Sequence, residues 1–174
     1  MTQKALEVLS QNEKGYFLMV EAGRIDHAHH AGNAFNALNE TIQLSNAVRM
    51  AVENTNPDDT LILVTADHSH VFTLAGYPKR GNPILGNVIN IGEQTPALAE
   101  DGLPYTTVGY MNGRGFHDLE DETDADAVYD REIQAGRKLS NNIDTQAVGY
   151  HQEILIPLES ETHSAEDVAI YGLG

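Results

Sequence analysis

The chain has 174 residues, 41% of them hydrophobic, which is enough for one domain with a real core and argues against disorder. It has 26 acidic residues against 10 basic ones, a formal charge of −16, which excludes the clustered Lys and Arg that binding to a nucleic-acid backbone needs. Cysteine is absent, so disulfides and thiolate metal sites are excluded, and any bound cation must be held by Asp, Glu and His.

The opening segment, MTQKALEVLSQNEKGYF, lacks the basic-then-apolar form of a signal peptide. It reads as a helix with Ala5, Leu6, Val8 and Leu9 apolar, followed by a strand. GYFLMVE, from Gly15 to Glu21, is a continuous apolar run closed by a carboxylate, as expected of a strand buried on both faces of a parallel sheet. Asn33 to Asn54 has helical periodicity. Ala34, Leu38, Thr41, Ser45, Val48 and Val52 form one stripe, and Asn36, Glu40 and Gln43 lie opposite. Pro57 and its turn-forming neighbours end that helix, and Leu61 to Val64 is a second apolar run. Strand, helix, strand in this order is the pattern of a βαβ unit. The predicted fold class is therefore α/β, a mostly parallel sheet flanked by helices. No run is long and apolar enough for a membrane span.

Beyond Val71 the texture changes. Gly76, Pro78, Gly81, Pro83 and Gly86 make a turn-rich stretch, and Tyr105 to Gly113 reads as a strand ending in an Asn-Gly turn. HDLEDETDADAVYDRE carries eight acidic residues and reads as a solvated, exposed insertion spanning about 113–149 within the single 1–174 domain. Two short apolar runs around His163 close the chain.

The chemistry-bearing residues sit where these runs end. VEAGRIDHAHH places Glu21, Asp26, His27, His29 and His30 directly after the first run. Either they decorate a solvated loop or they converge on a cation. Asp26 and His30 are spaced i, i+4, which puts both on one face of a helical turn. Asp67 and His68 follow the second run. Ligands in open parallel sheets gather beyond the carboxyl ends of strands, so the two clusters are expected to meet. His163 by itself reads as an ordinary buried histidine.

Three longer segments, VEAGRIDHAHHAGNA, LVTADHSHVFTLAGYPKRGN and ESETHSAEDVAIYG, in this order, resemble the alkaline phosphatase family, in particular the C-terminal half of a bacterial member. The resemblance runs from about Gly15 to Gly174 and implies phosphate monoester hydrolysis at a site with two zinc ions and one magnesium ion. It implies Glu21 for magnesium, Asp26, His30 and His163 for the first zinc, and Asp67 and His68 for the second. His27 then lies beside magnesium and the phosphate, and His29 and His70 are not ligands. Ala22 replaces a glycine common in the family. The family attacks phosphate with a serine in a D-S-A type motif, which this sequence does not contain, and Ser69 does not match it. The nucleophile-bearing N-terminal part is thus expected outside this chain, which would leave the sheet incomplete and the chain alone inactive. A homodimer in the full-length protein and a periplasmic or secreted location are further implications. Two alternatives stay open: a metal-binding piece without catalysis, and a related metal-dependent phosphodiesterase, sulfatase or mutase.

Overall fold

A computed structural model describes residues 1–118, 133, 135–136 and 143–174. The acidic run expected to form a solvated insertion lies, beyond Asp118, outside the described residues. Three helices come first: α1 (Thr2–Leu9), α2 (Arg24–His30) and α3 (Ala34–Glu53). Short strands follow: β1 (Ile62–Val64), β2 (Ser69–His70), β3 (Phe72–Leu74), β4 (Val108–Gly113), β5 (His117–Asp118), β6 (Tyr150–His151), β7 (Ile154–Pro157), β8 (His163–Ser164) and β9 (Tyr171–Leu173).

The α2–α3 junction follows from two residues. Gly32 adopts φ 72°, which a side chain would strain, and its N–H donates to the His29 carbonyl at 2.8 Å. The Asn33 N–H donates to Ala28 at 2.9 Å, completing the two-bond stop typical of helix C-termini. Asn33 then starts the next helix, its side chain accepting from the Asn36 N–H at 2.9 Å. Ala28 and Ala37, both buried, let the two helices approach closely. The β6 end holds this corner from outside. The His151 ring donates from Nδ1 to the Ala31 carbonyl at 2.6 Å, and the Gln152 side chain accepts from the Ala34 N–H at 2.7 Å.

The main core joins α3 to a three-stranded sheet ordered β3-β4-β7. Ala34, Val108, Tyr110 and Ile154 are its buried members, with Phe72 and Leu85 packed against them. In this sheet β4 pairs antiparallel with β3 and parallel with β7. The remaining pairs, β1–β9, β2–β8 and β5–β6, are antiparallel.

Several expectations are modified by these contacts. Gly15–Glu21 forms no strand among the described residues, and Phe17 and Met19 are 89% and 74% exposed. An apolar run becomes a doubly buried strand only where neighbours cover both faces, and the described residues supply none here. The α3 stripe is buried only at its N-terminal end, where the sheet lies against it. Asn36, expected on the polar face, is buried at the helix cap. Asn112-Gly113 is not a turn: both residues continue β4, in register with Ile156 and Pro157 of β7. Gly113 has φ 137°, and a Cβ there would come within 3.3 Å of the Glu161 Cβ. The glycine is required by a close approach, not by a hairpin.

Candidate metal centre

Four segments meet at one point. Helix α2 brings Asp26 from its first turn and His29 and His30 from its last, the loop before β2 brings Asp67 and His68, β2 brings His70, and the Ser160–His163 segment brings Glu161 and His163. The β2–β8 register sets His70 directly opposite His163. The i, i+4 expectation for α2 is met, with Asp26 Oδ1 3.4 Å from His30 Nε2.

Asp26 Oδ1 is the centre of the cluster. It lies 3.4 Å from His30 Nε2, 3.8 Å from His68 Nε2, 3.1 Å from His70 Nε2 and 3.3 Å from His163 Nε2. The oxygen is buried yet has no hydrogen-bond partner. A buried carboxylate oxygen in that state is costly unless a cation or protons neutralise it. His163 Nε2 and His30 Nε2 are 3.1 Å apart. Donor atoms about 2.0–2.1 Å from a tetrahedral zinc stand roughly 3.3 Å from one another. The Asp26–His30–His163 triad has this spacing on all three edges. Asp67 Oδ2 and His68 Nε2, 3.4 Å apart, have it too, although Asp67 is 89% exposed.

Two groupings of candidate ligand atoms arise among the described residues: Asp26 with His68, His70 and His163, and His30 with His70 and Glu161. His70, expected to stand outside the ligand set, belongs to both. Glu161, fully buried in its side chain, was not singled out from the sequence. Its Oε2 lies 2.8 Å from His70 Nδ1 and its Oε1 accepts from the Val71 N–H at 2.9 Å. A period-two signal could have found both residues. His68 and His70, and Glu161 and His163, are each spaced i, i+2, which puts both members of a pair on one face of a strand.

Other expected residues lie outside these groupings. Glu21 is exposed, with its carboxylate over Gly23, where a Cβ would lie 3.3 Å from Oε1. His27 is exposed on α2. The Ser69 hydroxyl donates to the Glu166 carbonyl at 3.4 Å, and Arg114 is bound to the Glu159 carboxylate at 3.0 Å.

Charge around the cluster is uneven. Burial, then the neighbouring His70, lowers the His29 pKa from 6.5 to about 4. Its ring stacks on His70, with centroids 4.5 Å apart, and Nδ1 lies 2.8 Å from the Tyr110 hydroxyl. Burial pulls the His70 pKa down as well, but Glu161 and Asp26 outweigh it and leave that pKa raised above 6.5. The two histidines therefore act on stability with opposite signs. Below pH 6.5 the unfolded chain takes up a proton that folded His29 refuses, so this contribution is present above 6.5 and lost as pH falls toward 4. The His70 contribution is present below 6.5 and lost as pH rises through its raised pKa. His29→Gln should flatten the loss of stability of the metal-free chain between about pH 7 and about pH 5, read from urea midpoints. An unchanged slope would show that His29 is not the group responsible.

A carboxylate oxygen ringed by imidazole nitrogens, assembled from a helix, a strand-end loop and two facing strands, is a candidate centre for a divalent cation held by Asp and His. The sequence profile of the family described as Alkaline phosphatase matches residues 1–174, and the chain belongs to that family. Over its full length it is 40% identical to the tissue-nonspecific isozyme of alkaline phosphatase from Gallus gallus, of which it covers 30%. It is 39% identical to the same isozyme from Homo sapiens and 38% identical to that from Felis catus, covering all of this chain and 29% of each relative. The chain thus spans about 30% of the length of the curated relatives it matches.

Proposed function

We propose that the protein carrying this chain hydrolyses phosphate monoesters at a centre of two zinc ions and one magnesium ion. Asp26, His30 and His163 would hold the first zinc, Asp67 and His68 the second, and Glu21 the magnesium, with His27 beside it. The observation that carries this reading is Asp26 Oδ1, buried without a hydrogen bond and within 3.8 Å of four imidazole Nε2 atoms. The donor types agree with the ions: zinc accepts carboxylate and imidazole, and magnesium prefers oxygen and retains water.

Bound divalent ions supply the Lewis acidity that draws charge from phosphate oxygens and brings the pKa of a coordinated hydroxyl toward neutrality. The chain's own part is to fix donors in place. Helix α2 sets Asp26 and His30 on one face, and the β2–β8 pairing sets His163 against them. The attacking serine is supplied by a segment outside these 174 residues, where the remaining strands of a mostly parallel sheet would cover Phe17 and Met19. Family membership supports a dimeric, exported protein. Among the described residues, no helix is long and apolar enough to cross a membrane.

A second reading applies to the chain by itself. It has the clustered donors and no D-S-A motif, which favours metal binding without turnover. The two readings, and the related diesterase, sulfatase or mutase chemistries, separate in one comparison. The full-length protein, loaded with zinc and magnesium, should cleave p-nitrophenyl phosphate far faster than bis-p-nitrophenyl phosphate or p-nitrophenyl sulfate. A preference for the diester or the sulfate would overturn the monoesterase assignment.

A further inference from the structure

Metal ligands need orientation as well as identity. An imidazole can offer Nε2 to a cation only if its proton sits on Nδ1, and the partner at Nδ1 decides that. Here one residue faces Nδ1 of two histidines. The Glu161 backbone carbonyl lies 2.7 Å from His30 Nδ1, and the Glu161 carboxylate lies 2.8 Å from His70 Nδ1. A carbonyl and an ionised carboxylate only accept, so both rings must donate from Nδ1. A ring that is neutral in this tautomer turns its Nε2 lone pair toward Asp26 Oδ1, at 3.4 Å for His30 and 3.1 Å for His70, where a cation lying between them would take it.

Glu161 is itself fixed. Its side chain is fully buried, and its second oxygen accepts from the Val71 N–H at 2.9 Å. Its backbone N–H donates to the His30 carbonyl at 3.2 Å. The close approach of Gly113 leaves its Cβ little room to move. The residue therefore links α2, β2 and the Ser160–His163 segment, with its carbonyl facing the His30 ring and its carboxylate facing the His70 ring.

We propose that Glu161 is a positioning residue. Through its carbonyl and its carboxylate it holds His30 and His70 as Nδ1–H tautomers, so that both Nε2 lone pairs are aimed at the Asp26 oxygen. This rests on the metal-centre reading for its consequence, but the tautomers can be tested without it.

The test uses nitrogen-15 histidine spectra of the chain, metal-free and zinc-loaded, at a pH where the rings are neutral, together with zinc affinity from chelator competition. In the unmodified chain His30 and His70 should both show the Nδ1–H pattern. In Glu161→Gln the amide oxygen can still accept from Val71, but its NH2 group then faces His70 Nδ1. His70 should switch to the Nε2–H form, whose proton then donates to Asp26 Oδ1 and competes with zinc for that oxygen, and zinc affinity should fall by about 10- to 100-fold, the range typical of lost ligand-orienting partners. His30, held by a backbone carbonyl, should keep its tautomer and serves as the internal control. An Nε2–H form of His70 in the unmodified chain overturns the proposal without any variant having to fold. So does a Glu161→Gln chain in which the His70 tautomer and the zinc affinity are both unchanged. Absence of zinc binding by the unmodified chain, with the expected tautomers, would instead count against the metal-centre reading alone.

Discussion

Asp26→Ala should lower zinc affinity more than any other single change in the cluster, by upwards of about 100-fold, beyond the range expected for an orienting partner such as Glu161. The reason is placement. Each histidine is one of several neutral donors, whereas Asp26 Oδ1 is the one charged oxygen that His30, His68, His70 and His163 all face. Its removal takes away a ligand and a negative charge together, and leaves imidazoles that repel one another once protonated. Asp26→Asn separates the two effects, because it keeps the shape and a carbonyl oxygen while losing the charge. It should fall between the alanine variant and the unmodified chain. Chelator competition gives both affinities, and equal affinity across all three proteins would remove Asp26 from the centre.

The second large effect is an absence of turnover. Supplied with zinc and magnesium, this chain should hydrolyse p-nitrophenyl phosphate at a rate indistinguishable from buffer, and the full-length protein should do so readily. Holding metal and substrate cannot replace a nucleophile on the correct face of the phosphorus. Ser69 is engaged with the Glu166 carbonyl, and Arg114 is bound to Glu159. A chelator-sensitive rate in this chain comparable to that of the full-length protein would show that the 174 residues suffice and that the serine outside them is not needed.

Local patterns in the sequence were sufficient for much of the site. The i, i+4 spacing of Asp26 and His30 translates directly into α2, because spacing along one helix needs nothing from the rest of the fold. Helix α3 is bounded by Asn33 and Asn54, as the capping residue and the downstream Pro57 suggest. Strand-end placement pointed to the Asp26 and Asp67–His68 clusters meeting, and the family resemblance alone implied that His163 joins them. What escaped was long-range. No local rule tells that β1 pairs antiparallel with β9, or that β2 meets β8, since such pairing is decided by segments about 100 residues apart. Glu161 was overlooked for the same reason. Its role exists only once β2 and the Ser160–His163 segment face each other, and a glutamate in ESETH otherwise reads as surface charge. The Asn112-Gly113 misreading shows the reverse error: a strong local turn signal was overridden because Gly113 is needed where Glu161 packs against β4.

The central claim is that Asp26, His30 and His163 converge on one divalent cation. Diffraction data from zinc-soaked crystals of this chain, collected on both sides of the zinc absorption edge, test it most directly. The account predicts an anomalous peak about 2 Å from Asp26 Oδ1, His30 Nε2 and His163 Nε2. Strong zinc peaks elsewhere on the molecule, with none between these three side chains, would contradict it.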